Sequence, residues 1–249
     1  MAAVIVQTDM DLSLLSLAPA DSSADLMAAL AVVMCLVVVA LAARHSRKLG
    51  WQLAVAISAW LGLTALGAKV GFFEAPRFFV MPLVTLGALF AFSRTPTARA
   101  LFAATPMHWV IGLQGFRVLV ELTLFALWKE GHAPAQMTFE GRNFDILVGL
   151  TAPLVAWLVS RERLSPGQII AWNALGLSVL LNTIVTAVTS LPGPLHLDWP
   201  GAPFTALVSW PVVWLPAFLA PLAISLHVTS IRQALARREN VMPQSEGQS

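Results

Sequence analysis

Arg117 and Glu121 stand one helical turn apart in the middle of a run, 106–128, that is otherwise apolar enough to cross a bilayer. Charges at that depth are costly and avoid acyl chains, so both must point into a protein interior. At about 1.5 Å per residue they lie about 6 Å apart along one face, within reach of each other. Gln114, one turn earlier, extends the polar stripe, and Trp128 continues it towards the far end. Two roles are open to such a pair. It can lock the helix among its neighbours. Alternatively, Arg117 holds an anionic or carbonyl group of a ligand while Glu121 orients Arg117 or exchanges a proton.

A second concentration of polar groups follows in the longest connection, where Glu140, Arg142, Asn143 and Asp145 surround Gly141 just ahead of an apolar run. Asn143 or Asp145 suits the N-cap of the next helix, and an acid there also suits the helix dipole. Glu140 and Arg142 are left over, and the loop is expected to close over the bundle above Glu121. The stretch 137–153, MTFEGRNFDILVGLTAP, resembles a segment of uncharacterised bacterial multi-pass inner-membrane proteins, in which a helix with an Arg and a Glu also precedes it. The later run with Asn173, Asn182 and the prolines of the last span fits the same pattern, so the likeness covers about half the chain. It implies bacterial origin and a shared site without naming an activity.

Asn173 and Asn182 are nine residues apart and fall on opposite faces of one helix. Asn182, on a face with Ser178 and Thr186, is the better site candidate by depth, although such faces commonly join helices. His108 and His227 fall near the inner ends of their spans, where a histidine is ordinarily solvated, though a haem between them is geometrically conceivable. His132, Glu140, Asp145, His196 and Asp198 have no metal-ligand spacing, so no metal site is expected. A retinal Schiff base would need a lysine inside the last span, but Lys48, Lys69 and Lys129 all lie at span ends. Gly176-Leu177-Ser178-Val179 lacks the second glycine of an intramembrane serine protease nucleophile. No nucleotide, metalloprotease or haem-attachment motif is present, and no cofactor can be inferred.

These groups need a scaffold, and composition names it. The 249 residues are 57% hydrophobic and 11% charged, with mean hydropathy +0.76, which belongs in lipid. A net charge of +2 with basic residues scattered at span ends leaves no nucleic-acid footprint. The lone Cys35 rules out an intrachain disulfide. Apolar windows at 24–43, 51–68, 78–92, 106–128, 145–160, 168–190 and 205–229 predict an all-α integral membrane protein with seven transmembrane helices. The third and fifth are short for a bilayer core of about 30 Å.

Orientation follows from the basic residues. Arg44, Arg47, Lys48, Arg94, Arg99, Arg161, Arg163, Arg232, Arg237 and Arg238 fall in alternate connections, against Lys69, Arg77, Lys129 and Arg142 on the opposite side with most of the acids. The N-terminus is therefore expected outside and the C-terminus in the cytoplasm of a bacterial inner (plasma) membrane. Residues 1–23 read as an acidic extracytoplasmic lead-in without the features of a cleaved signal peptide, 24–230 as the transmembrane domain, and 231–249 as a basic, then polar, tail. The leading expectation is a cavity opening outward and built from Gln114, Arg117, Glu121, Asn182 and the 140–145 cap, binding or moving a small polar or amphiphilic ligand. Alternatives are a membrane-embedded enzyme acting on a lipophilic substrate through Glu121, Glu140 or Asp145, and a structural or assembly protein.

Overall fold

The computed structural model describes residues 22–241, so the expected acidic lead-in lies almost entirely outside the described residues. Among these, every regular element is helical: α1 Ser22–His45, α2 Arg47–Lys69, α3 Val80–Ser93, α4 Pro96–Ala104, α5 Met107–Leu113, α6 Phe116–Lys129, α7 Asp145–Ser160, α8 Pro166–Ser190 and α9 Ala220–Val241. Short residues with open hydroxyls start several of them. Ser46 accepts from the Leu49 amide, Thr95 from that of Ala98, and Ser165 forms a reciprocal capping box with Gln168. Pro96 and Pro166 then occupy first-turn positions, where a missing N–H costs nothing.

Five segments are long and apolar enough to cross a membrane: Ser23–His45, Arg47–Lys69, Met107–Lys129, Pro166–Ser190 and Leu215–Glu239. Their outward faces carry exposed large apolar side chains, including Leu36, Leu63, Leu66 and Leu181, as lipid contact requires. The other two expected spans differ. Arg77–Ser93 passes the same test only together with Pro96–Ala104, and the two are bent by 84°. Thr95 caps and Pro96 cannot continue the preceding helix, so α4 forms from residues expected to be a plain connection and turns across the end of the bundle. The helix α7, at 16 residues, is apolar but short.

The last span is displaced along the chain. Residues 205–208 form only a 3-10 turn, and the helical stretch begins as a π turn at Leu215–Leu219 with Pro216 in its first turn before continuing into α9. Pro211 and Pro216 withhold two backbone donors, so a regular helix from 205 is not available. The span is therefore Leu215–Glu239 rather than 205–229, and His227 moves from the inner surface to its midpoint. Arg232, Arg237 and Arg238 ride on α9 itself.

One end of the bundle gathers basic residues. Arg44, at the end of α1, lies over Trp109 at the start of α5, 5.0 Å from the ring centre. Gln233 of α9 donates to the carbonyls of Phe102 and Thr105, at 2.6 and 2.8 Å. At the other end Ser23 donates to Glu130 at 2.5 Å. The core between them includes Met27, Leu124, Met137, Phe204, Leu207 and Leu219, all essentially without exposure.

Candidate functional site

The fifth expected span is short because the loop before it folds down into the bundle. Gly149 lets α7 approach α6 so closely that a Cβ there would lie 2.8 Å from the Val118 amide nitrogen. Asp145, one turn earlier, is thus level with Glu121 and about 12 Å short of the end of α6 at Lys129. Residues 130–144 make up that height, and Gln136, Met137, Thr138 and Asn143 are buried within the bundle. A 3-10 turn at Ala135–Met137 and the bond from the Asn143 amide to the Thr138 carbonyl (3.2 Å) hold this re-entering loop.

Arg117 and Asp145 are joined as a fork on a carboxylate. Nε donates to Oδ2 at 2.9 Å and Nη2 to Oδ1, a geometry that adds direction as well as charge. Nη1 points at His227 Nε2, 2.9 Å away. Because a guanidinium can only donate, Nε2 accepts, and the ring N–H is left on Nδ1. It donates to Asn173 Oδ1 at 2.8 Å, whose amide nitrogen donates in turn to Ser230 Oγ (3.0 Å) and the Ile169 carbonyl (2.8 Å). Gly176 makes room for the imidazole, since a Cβ there would come within 2.7 Å of His227 Nε2.

Glu121 is placed differently. The ion pair expected with Arg117 is not made: the guanidinium bonds go to Asp145 and His227. Glu121 Oε1 accepts from Asn143 Nδ2, which also donates to the Met137 carbonyl at 3.2 Å. Asn143 Oδ1 accepts from Thr183 Oγ1 (2.6 Å) and from the Asp145 amide (3.2 Å). Phe144 holds the N-cap position of α7 without a side-chain bond, and Asn143 serves one residue earlier. Glu121 Oε2 is fully buried and has no hydrogen-bond partner among the described residues.

The remaining expected site residues divide. Gln114 is buried and donates to the Ala223 carbonyl at 3.1 Å, bridging to α9 away from the carboxylates. Glu140 and Arg142 are exposed; Arg142 lies over Trp199, 5.0 Å from its ring centre. Asn182 is half-buried and donates to the Arg142 carbonyl at 2.7 Å, so it anchors the loop from outside. Asn173 sits in the polar chain instead. With one partner on each nitrogen, His227 has no edge free for a haem iron. Among the described residues no three His, Cys, Asp or Glu side chains group as metal ligands.

Arg117, Glu121, Asp145 and Thr183 form one wall of a cavity of about 180 Å³. Its other walls are apolar: Phe78, Phe79, Pro82 and Leu86 ahead of and along α3, Leu180, Ile184 and Ala187 on α8, and Pro216 and Leu219 before α9. It lies where α3, which packs on 215–219 and α9, would otherwise meet α6 and α8. Buried Met137 lines it on the side of the loop, whereas Pro82, Leu86, Ile184 and Ala187 keep partial exposure. The rim is thus apolar and lateral, between α3 and α8, rather than a polar mouth beneath the loop.

No curated protein and no solved structure matches the chain. Residues 76–235, which run from the turn before α3 into α9 and contain every side chain of this site, match the family described as a domain of unknown function (DUF8737), and the chain belongs to that family.

Proposed function

We propose that this protein binds a small amphiphile within the membrane, in the cavity between α3, α6 and α8, and thereby stores it or passes it across. The observation that carries the reading is the division of the cavity wall: buried ionisable side chains on one side and hydrocarbon on all others. A wholly polar solute would leave its hydrogen bonds unmet on the apolar walls, and a hydrocarbon would waste the carboxylate. The lateral apolar rim suits a ligand dissolved among acyl chains. Arg117 serves this reading as a strut, because its fork is filled by Asp145, so an anionic ligand would have to displace a protein carboxylate.

The setting we infer is a bacterial inner membrane crossed seven times, with α3 and α7 as thin crossings, the N-terminus outside and the C-terminus in the cytoplasm. The clustering of Arg44, Arg99 and the α9 arginines at one end supports it. Single cysteines at Glu74 and Arg99 on a Cys35→Ala background should react with an impermeant maleimide in intact cells at position 74 only, and the opposite pattern refutes the orientation.

Binding is tested with full-length protein in nanodiscs, by following thermal unfolding through tryptophan fluorescence with a series of six-carbon amphiphiles. Ala187→Phe, which places a ring in the cavity, should abolish every ligand-induced rise. A variant that keeps them all removes the cavity from the account.

A further inference from the structure

A second recess lies between α2 and α3, apart from the amphiphile cavity, and its chemistry is different. We propose that this groove seats one acyl chain of an anionic phospholipid, whose phosphate is met by Lys69 and Arg77. The groove has a volume of about 330 Å³ and is lined by Trp60, Leu63, Thr64, Gly67 and Val70 along one face of α2, with Val84 of α3. The broken helix before α9 anchors both sides. Pro221 has no N–H to return to the Ala217 carbonyl, and that oxygen accepts from Trp60 Nε1 at 3.0 Å and from Thr85 Oγ1 at 2.8 Å. One carbonyl thus ties α2 and α3 to the same point. The groove wall makes no polar demand of its own: the indole N–H is spent on Ala217, and the Thr64 hydroxyl donates back to the carbonyls of Trp60 and Leu61, at 3.0 and 3.1 Å. Hydrocarbon is the occupant such a wall accepts without leaving a hydrogen bond unmade.

Length and charge name the lipid. From Trp60 to Val70 the α2 wall runs about 15 Å, half of a hydrocarbon core of about 30 Å, so the groove is one leaflet deep. A dry cavity of about 150 Å³ holds benzene, and 330 Å³ takes about thirteen carbon atoms on the same scale, most of one chain. At the end of the groove, residues 69–77 carry two exposed cations, Lys69 and Arg77, and one acid, Glu74, which lies beside Gly71. Among the described residues neither cation is in an ion pair. Lys69 Nζ lies 6.0 Å from the ring centre of Trp210, and Arg77 Cζ 5.2 Å from that of Phe72, itself on the groove wall. The turn therefore has one formal positive charge in excess. An anionic phospholipid brings one negative charge to it, and a zwitterionic lipid brings none.

The test is native mass spectrometry of the full chain in detergent with equal amounts of dioleoyl phosphatidylglycerol and dioleoyl phosphatidylcholine, reading the ratio of the two singly bound lipids. Wild type should favour phosphatidylglycerol by about fivefold, as for one surplus charge near the surface. Lys69→Gln with Arg77→Gln should bring the ratio to unity or below. Val84→Phe, which fills the groove and keeps both cations, should lower the single bound copy of either lipid by about fivefold or more; Leu63→Trp, filling it from α2, decides if that variant does not fold. A wild-type ratio near unity, as for ordinary boundary lipid, overturns the proposal. So does a charge variant that keeps the preference, or a filled groove that keeps the lipid. None of the four substituted residues lines the amphiphile cavity, so these outcomes leave that reading to its own test with Ala187→Phe.

Discussion

Two buried carboxylates share one depth of the bundle and live in opposite circumstances. Asp145 has both oxygens on Arg117, and the chain continues through His227 and Asn173 to Ser230, so four helices are joined with each group given a partner. Glu121, which also lines the cavity, has one oxygen on an asparagine and the other buried with no partner among the described residues. A closed arrangement holds helices in place, and an incomplete one invites a further group. The contrast separates the fastening from the proposed site, although sequence treats both acids alike.

The largest effect should come from opening the closed side. Arg117→Ala strands Asp145 without a counter-charge and should cost about 3–5 kcal/mol, measured by reversible unfolding in mixed SDS micelles. Replacing both partners with apolar residues, Arg117→Met with Asp145→Leu, should recover most of that loss; a double variant no better than the single one would mean the pair does more than fasten. Gly176→Ala comes next. Its methyl group displaces the imidazole and should cost about 1–3 kcal/mol, and on a His227→Ala background it should add almost nothing. Full additivity would place the strain elsewhere.

Glu121→Gln sharpens the comparison from the other side, with a stability change within about 1 kcal/mol of wild type, clearly less than that of Asp145→Asn. Equal losses for the two would erase the distinction between fastening and site. The smallest changes are expected at the periphery. Gln114→Leu gives up the bond to the Ala223 carbonyl but also removes an amide oxygen without a partner among the described residues, and Asn182→Ala loosens one loop carbonyl. Each should cost less than about 1 kcal/mol by the same unfolding measurement.

Much of this was legible before any coordinates. Helical class and five of the apolar spans follow from composition and window length, because hydrocarbon contact demands both. Arg117 and Glu121 stood out by depth alone, and the loop with Asn143 and Asp145 by its density of polar groups. Their partnership did not. A spacing of four residues says that two side chains on one helix can meet, but it is silent about a loop from elsewhere that reaches down and offers a better fork. His227 was hidden by averaging: a hydropathy window spanning Pro211 and Pro216 starts the helix ten residues too early and so puts the histidine at the wrong depth. Asn182 was preferred over Asn173 by its depth relative to Arg117 and Glu121, whereas Asn173 enters the chain through His227, which that window had put too near the surface. Thr183 had no signal at all, because threonines in membrane helices commonly turn back to the carbonyl four residues earlier, as this one also does towards Val179.

Gln233 spans the gap from α9 to two carbonyls at the end of α4, at the extremity opposite the bond from Ser23 to Glu130. There, α9 cannot swivel without tearing two bonds from the end of a helix that is itself bent by 84° from α3. Among the described residues no hydrogen bond joins α3 to α8, whose facing side chains at the cavity are mostly apolar. A molecule tied at its base and untied along the seam between α3 and α8 should part at that seam, widening where the guest arrives and staying shut where leakage would follow.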